Sequence, residues 1–408
     1  MPNASHDTRL SRRLAAVRPS ATGAISEAAR HLAEQGHKVI SLSEGELDFD
    51  TPSHIQNAAI QGIREGHTRY TNVGGTSQLK AAIARKFLRD NDLKFLPNEI
   101  VASTGAKQIL FNAMLATLNP GDEAIMVAPY WVSYSEMVRI AGGEPVIAIP
   151  NAQDDFKLTP ALLRASITQK TRWLIINSPG NPSGSLYSAK ELQEIATVLD
   201  EYPNAMVLSD DIYEAIIFTG EFVTFAQVNS RMQDRTLTIN GVSKAYAMTG
   251  WRLGYAGGPA WLIKALELLQ SQSTSNPSSV SQVAAIAALD GPQEFLSKWR
   301  HQLRVRRDLA IEALSAVANI LQVTTPPAAF YLYANCSAAL GMQTSSGELI
   351  RSDSDLALYL LQDAGVAVVP GTAFGLAPYL RIAYGVSDSE LLLACQLVVA
   401  AIKRLTKP

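Results

Sequence analysis

The chain has 408 residues, 47% hydrophobic and 18% charged, with a formal net charge of −2. That balance belongs to a compact globule of two domains and excludes a disordered chain, and the lack of a basic field argues against nucleic-acid binding. No apolar run approaches the roughly 20 residues of a membrane helix and the polar, Arg-bearing start is not a signal peptide, so a cytoplasmic protein is expected.

Taken in chain order, apolar β-branched runs at residues 99–103, 123–127, 145–149, 173–176, 206–208 and 236–239 read as buried strands. Amphipathic segments at 107–118, 133–141, 160–167 and 188–199 lie between several of them and read as helices. Such alternation implies a largely parallel sheet covered on both faces, with ligands at the carboxyl ends of its strands. Beyond residue 286 the pattern changes to a long charged helix over about 293–318, short strands at 329–333, 366–369 and 380–383, and a final helix from Asp388. The polar stretch 342–355 reads as an exposed loop. Cys336 and Cys395 are expected to be reduced core thiols, and the six histidines form no metal-binding pair, so no metal is expected.

The strand ends carry the chemistry. The run 236–239 leads into Asn240-Gly241-Val242-Ser243-Lys244, and Arg252 follows in Thr249-Gly250-Trp251-Arg252. A lysine that can lose its proton suits imine formation, and a guanidinium suits a phosphate; two surface cations are the plain alternative. The run 206–208 ends in Ser209-Asp210-Asp211-Ile212-Tyr213, where a carboxylate can pair with a pyridinium nitrogen or merely cap a helix. Asn181 lies in the turn-rich Asn177-Ser178-Pro179-Gly180-Asn181-Pro182, which is either a rigid donor loop or an ordinary turn. Thr104-Gly105-Ala106-Lys107 opens a helix whose free N–H groups suit a phosphate, a weak signal alone. Trp131, in Pro129-Tyr130-Trp131, can stack on an aromatic ring or fill the core.

In combination these segments resemble the class I aminotransferases of pyridoxal 5′-phosphate (PLP) fold type I. The likeness is strongest to the bacterial aspartate aminotransferase branch, which carries Ser20-Ala21-Thr22, Glu44-Gly45-Glu46-Leu47-Asp48-Phe49-Asp50-Thr51-Pro52 and Ala247-Met248-Thr249-Gly250-Trp251-Arg252; matching motifs run from Ser20 to Arg381. The resemblance implies an α/β fold with a large domain, built on a mostly parallel seven-stranded sheet flanked by helices, and a smaller α+β domain. The implied division is 1–52 as N-terminal arm and part of the small domain, 53–290 as the large PLP-binding domain and 291–408 as the small domain.

The resemblance also implies roles. Lys244 would hold PLP as a Schiff base and shuttle the proton. Asp210 would pair with the ring nitrogen, Tyr213 and Asn181 would bind O3′, and Trp131 would stack on the ring. Gly105, Ala106, Lys107, Ser243 and Arg252 would line the phosphate side, with Tyr70 reaching in from a second subunit of a homodimer. Arg381 would grip the substrate α-carboxylate with help from Gly45, Trp131 and Asn181, while Lys107, Ser20 and Thr22 would meet a distal carboxylate. The expected reaction is a ping-pong amino transfer between aspartate or glutamate and their 2-oxo acids. Prephenate or aromatic substrates, and a same-fold lyase, are the alternatives. Ala328-Ala329-Phe330 and Gly180 depart from the usual pattern near the substrate. A DNA-binding regulator would need more than the roughly 20 residues before Ser20, and a Rossmann dehydrogenase would need its glycine fingerprint.

Overall fold

The computed structural model describes residues 9–15, 17, 19, 21–151 and 154–407. A two-residue strand β1 (Ile40–Ser41) precedes the main sheet, whose strands are β2 (Ile100–Ser103), β3 (Glu123–Val127), β4 (Glu144–Ala148), β5 (Thr171–Asn177), β6 (Met206–Asp210), β7 (Thr236–Gly241) and β8 (Gly254–Gly257). Across the sheet the order is β2-β8-β7-β6-β5-β3-β4. β8 alone runs opposite to the other six strands. The six expected strands are present, and β8 is the seventh. Its sequence, Gly-Tyr-Ala-Gly, has no β-branched residue, so it is a strand by virtue of its two partners and not by propensity.

Helices cover both faces, and β7 is buried at every position. The order reverses where β3 lies beside β5, which places the mouth of a crevice at the carboxyl ends of these strands. Helices Ser53–Arg64, Ser77–Asn91, Ala260–Ser271 and Ser279–Asp290 complete this layer. They were not among the expected elements. In the last of them the buried face is largely Ala284, Ala285 and Ala288, which gives little hydrophobic contrast to read.

A second core surrounds a four-stranded antiparallel sheet of β9 (Gln322–Val323), β10 (Tyr331–Asn335), β12 (Val369–Pro370) and β13 (Tyr379–Ala383). The expected strand at 366–369 is divided. β11 (Val366–Ala367) pairs with β1, and after Val368 the chain crosses to β13 as β12. The 342–355 segment is not simply an exposed loop: Met342, Thr344 and Ile350 are buried, Gln343 bridges to Leu349 and Thr406, and a helix starts at Asp353. The long helix spans Glu294–Leu314, and the last spans Asp388–Lys403. Buried Arg306 on the former grips Asp48 through both terminal nitrogens (2.6 and 2.9 Å) and Asp388 through Nε (2.7 Å). That clamp fixes the segment carrying Gly45. No helix among the described residues is long and apolar enough to cross a membrane.

Candidate active site

A cleft of about 590 Å³ opens at the carboxyl ends of the central strands, a volume suited to a small ligand. The ends of β6, β7 and β2, with the middle of β13, supply its floor. β6 delivers Asp210, which is 5% exposed. Its Oδ2 accepts a 2.5 Å hydrogen bond from the Tyr134 hydroxyl, while its equally buried Oδ1 has no partner. Burial pushes this carboxyl up to about 6, offset in part by Tyr134. No helix follows, so Asp210 and Asp211 are not helix caps; the chain turns through residues 212–215 and presents Tyr213. The Tyr213 hydroxyl lies 2.8 Å from that of Tyr331 and 3.4 Å from the Asn181 amide nitrogen.

β7 is followed by Ser243 and Lys244, and the Lys244 ammonium donates to the Gly45 carbonyl at 2.5 Å. Burial, aided by the nearby Arg381 charge, lowers the amine to about 8. Both effects favour the neutral amine, the form that can act as a nucleophile.

β2 leads into the helix Ala106–Thr117 through Gly105, whose φ of 84° suits glycine. A side chain at Gly105 would collide with the Arg252 guanidinium, so the glycine also makes room for that cation at the helix start. Arg252 is held there by a 2.9 Å hydrogen bond from its Nη1 to the Thr249 carbonyl. The first N–H groups of a helix have no partner within it, so helix and guanidinium together form an anion cradle.

Arg381 comes from β13 in the second sheet and is 2% exposed. Its Nη1 donates to Asn181 Oδ1 at 3.1 Å and its Nη2 to the Ser43 carbonyl, whereas Nε has no partner. The guanidinium lies over the Tyr331 ring, 4.9 Å from its centroid. Among the described residues no carboxylate forms an ion pair with it. A buried guanidinium held only by neutral acceptors is a site waiting for an anion.

The cleft thus unites Gly45, Ala106, Lys107, Trp131, Asn181, Asp210, Tyr213, Ser243, Lys244, Arg252 and Arg381. At its rim the exposed Lys107 holds its ammonium 4.8 Å from the Trp131 ring centroid, and burial of that ammonium by its neighbours lowers its pKa. Tyr70 is 90% exposed and does not line this chain's own cleft. Ser20 lies outside the described residues; Thr22 belongs to the helix Ala21–Glu34, and its neighbour Gly23 lines the cleft. Sequence reasoning missed Tyr134, Tyr331, Arg30 and Glu44. Tyr134 sits one helical turn after Trp131, a spacing that could have found it; Tyr331 is masked by the apolar pattern of its strand.

Comparison with known proteins agrees with this geometry. The family described as aminotransferase class I and II matches residues 37–398. An aspartate aminotransferase of Rhizobium meliloti is 50% identical over 94% of this chain and 93% of its own. An aspartate/prephenate aminotransferase of Cereibacter sphaeroides is 49% identical over 96% and 98%. In three dimensions the crystal structure of an aspartate aminotransferase from Rhizobium meliloti superposes with a TM-score of 0.94 at 48% identity, covering 97% of this chain and 99% of that one. The aspartate aminotransferase of Thermus thermophilus with maleate gives 0.89 at 39% identity, covering 96% and 99%. With a cleft of this construction and relatives of this closeness along almost its whole length, the chain belongs to the class I and II aminotransferase family.

Proposed function

We propose that this aminotransferase uses PLP to move an amino group between dicarboxylic amino acids, aspartate or glutamate, and their 2-oxo acids. The observation that carries the reading is Arg381, a buried guanidinium with no carboxylate partner among the described residues, in the same cleft as Lys244. Two further features fit PLP. The unpartnered Asp210 Oδ1 matches a protonated ring nitrogen, and the cradle of Gly105, Ala106, Ser243 and Arg252 matches a phosphate. Trp131 lines the same cleft as a stacking surface, with Tyr213 and Asn181 as the partners of the ring oxygen O3′.

When bound, PLP supplies an electron sink that stabilises negative charge at the substrate α-carbon. The residues do the rest. Arg381 takes the α-carboxylate in a fixed orientation, with Asn181 and the Gly45 backbone beside it. Lys244, whose amine is lowered to about 8, would take the α-proton onto its Nζ and pass it to the cofactor carbon that accepts it. Asp210, as a carboxylate, would keep the ring nitrogen protonated, and Tyr134 holds that carboxylate in place. Lys107 at the rim, with Ser20 and Thr22, receives the distal carboxylate. The Thermus thermophilus aspartate aminotransferase was solved with maleate, itself a dicarboxylate, in keeping with this assignment. Prephenate is the second reading, favoured by the name of the Cereibacter relative.

The same reading makes the enzyme a cytoplasmic homodimer. Tyr70, exposed and not among the residues lining its own cleft, is assigned to the phosphate of a second subunit, and free buried Cys336 and Cys395 suit a reducing compartment. The division at 1–52, 53–290 and 291–408 is supported by separate cores. Leu42 and Leu47 pack with residues from 303 onward, joined at the boundary by Ile212, Tyr213 and Ile216, whereas the clusters around the main sheet are formed by residues of the 55–289 range. The test is a half-reaction. Glutamate or aspartate without any acceptor should change the absorbance of bound PLP stoichiometrically, and 2-oxoglutarate should restore it. No change with either amino acid, while prephenate-derived or aromatic donors react, would move the assignment to the second reading.

A further inference from the structure

We propose that Tyr331 is a positioning residue for the reaction, acting through Tyr213 to aim that residue's proton at O3′ of the cofactor; this rests on the PLP reading above. Tyr331 is fully buried on β10 and also lines the cleft. Its hydroxyl is 2.8 Å from that of Tyr213, with the rings 5.7 Å apart at 83°. A phenol has one proton to give, so in a pair of hydroxyls one donates and the other accepts. The other neighbour of Tyr213, the Asn181 amide nitrogen, can only donate. When Tyr331 also donates, the Tyr213 oxygen is satisfied and its own proton is left for a third atom in the cleft. The order is then Tyr331 to Tyr213 to O3′, and each bond polarises the next.

Two independent features hold this relay. The first is backbone. The Ala329 N–H donates to the Ile216 carbonyl at 2.9 Å, and Ala328 bridges to Ile217, so the segment leading to Tyr331 is tied to the one just after Tyr213. Ala329 reaches this path with φ at 61°, a left-handed conformation that is unfavourable for a non-glycine residue and tends to be kept where function demands it. The second is crowding around the hydroxyl. A Cβ at Gly45 would stand 2.8 Å from Tyr331 Oη and 3.6 Å from Lys244 Nζ, so glycine there keeps Tyr331 and the reactive amine in one undivided space.

Tyr331→Phe removes the hydroxyl and keeps the ring beneath Arg381. In the PLP-loaded enzyme, weaker donation by Tyr213 leaves the negative charge on O3′ less stabilised, so the proton shared there is held to higher pH. The pH midpoint of the bound-PLP absorbance should rise by about 0.5–1 unit, the size of one net hydrogen bond. Tyr213→Phe should raise it further, and the double variant should add nothing to Tyr213→Phe alone. An unshifted midpoint in Tyr331→Phe, or a shift that adds in full to that of Tyr213→Phe, would overturn the proposal. If the unmodified protein binds PLP and the midpoint shifts in Tyr213→Phe but not in Tyr331→Phe, only the role of Tyr331 falls. Failure of the unmodified protein to bind PLP overturns the underlying reading and this one together.

Discussion

Asp210, Tyr213 and Arg381, on the floor of the cleft, are 5%, 3% and 2% exposed, whereas Lys107, Arg30 and Glu44 at its rim lie open to solvent. On the floor, charges are buried with hydrogen-bonding capacity unused: Asp210 Oδ1 and Arg381 Nε have no partner. Such groups cost stability until a ligand arrives, and they persist because the chemistry depends on them. Rim charges are hydrated and screened, so changing them costs the fold little. A floor of this kind fixes what reaction occurs, and a rim of this kind selects which side chain enters. The two solved relatives, at 48% and 39% identity, keep the fold with TM-scores of 0.94 and 0.89.

The division can be broken first at the reactive amine. Lys244→Ala should lower turnover by about four orders of magnitude or more and leave bound PLP unable to form its covalent link, read from its absorbance. Normal turnover in that variant would remove the floor's chemistry altogether.

Asp210→Asn should have opposite effects on activity and stability. Loss of the carboxylate should reduce kcat/KM by about 10²–10³-fold, the range for removing one preorganised electrostatic group. The cofactor-free protein should become more stable near neutral pH, because burial raises this carboxyl from 3.8 to about 6. The folded chain then binds the proton more tightly than the unfolded chain. The favourable contribution is complete below pH of about 4 and is lost as pH rises through about 6. Thermal melts of variant and parent should therefore nearly coincide at the acid end and separate by a few degrees near pH 7, the variant being higher. Equal melting at both pH values would show that the floor is not strained by its charge.

The smallest effect is expected at the backbone. Ala329→Gly relieves a positive φ but gives the unfolded chain more freedom, so the net change in stability should be within about 1 kcal/mol, measured by denaturant unfolding. A loss of several kcal/mol would mean that the Ala329 methyl packs in a way the strain argument ignores.

Much of the floor was legible because its residues follow strands of strong β-branched pattern. Asp210, Lys244 and Asn181 each come within a few residues of such a run, and strand ends are where an α/β sheet presents its ligands. The rest depended on contacts between distant segments. β8 exists through its pairing with β2 and β7, and the split of 366–370 between two sheets follows from partners β1 and β13. Tyr331 meets Tyr213 across 118 residues of chain, a contact that no local periodicity encodes. Arg306 lies in the stretch that the sequence shows only as a long charged helix, yet it is buried between Asp48 and Asp388. Burial of an arginine depends on where its partners fold, which local spacing does not reveal.

The division between floor and rim is tested most directly by comparing kcat/KM for glutamate and for alanine in Arg381→Ala and Lys107→Ala. Arg381→Ala should lower both donors together, by about 10²–10³-fold, since both carry the α-carboxylate that a buried guanidinium receives. Lys107→Ala should lower glutamate by about tenfold and leave alanine almost unchanged, because only glutamate has a distal carboxylate for an exposed cation to meet. Equal losses for both donors in Lys107→Ala, or a loss confined to glutamate in Arg381→Ala, would contradict the account.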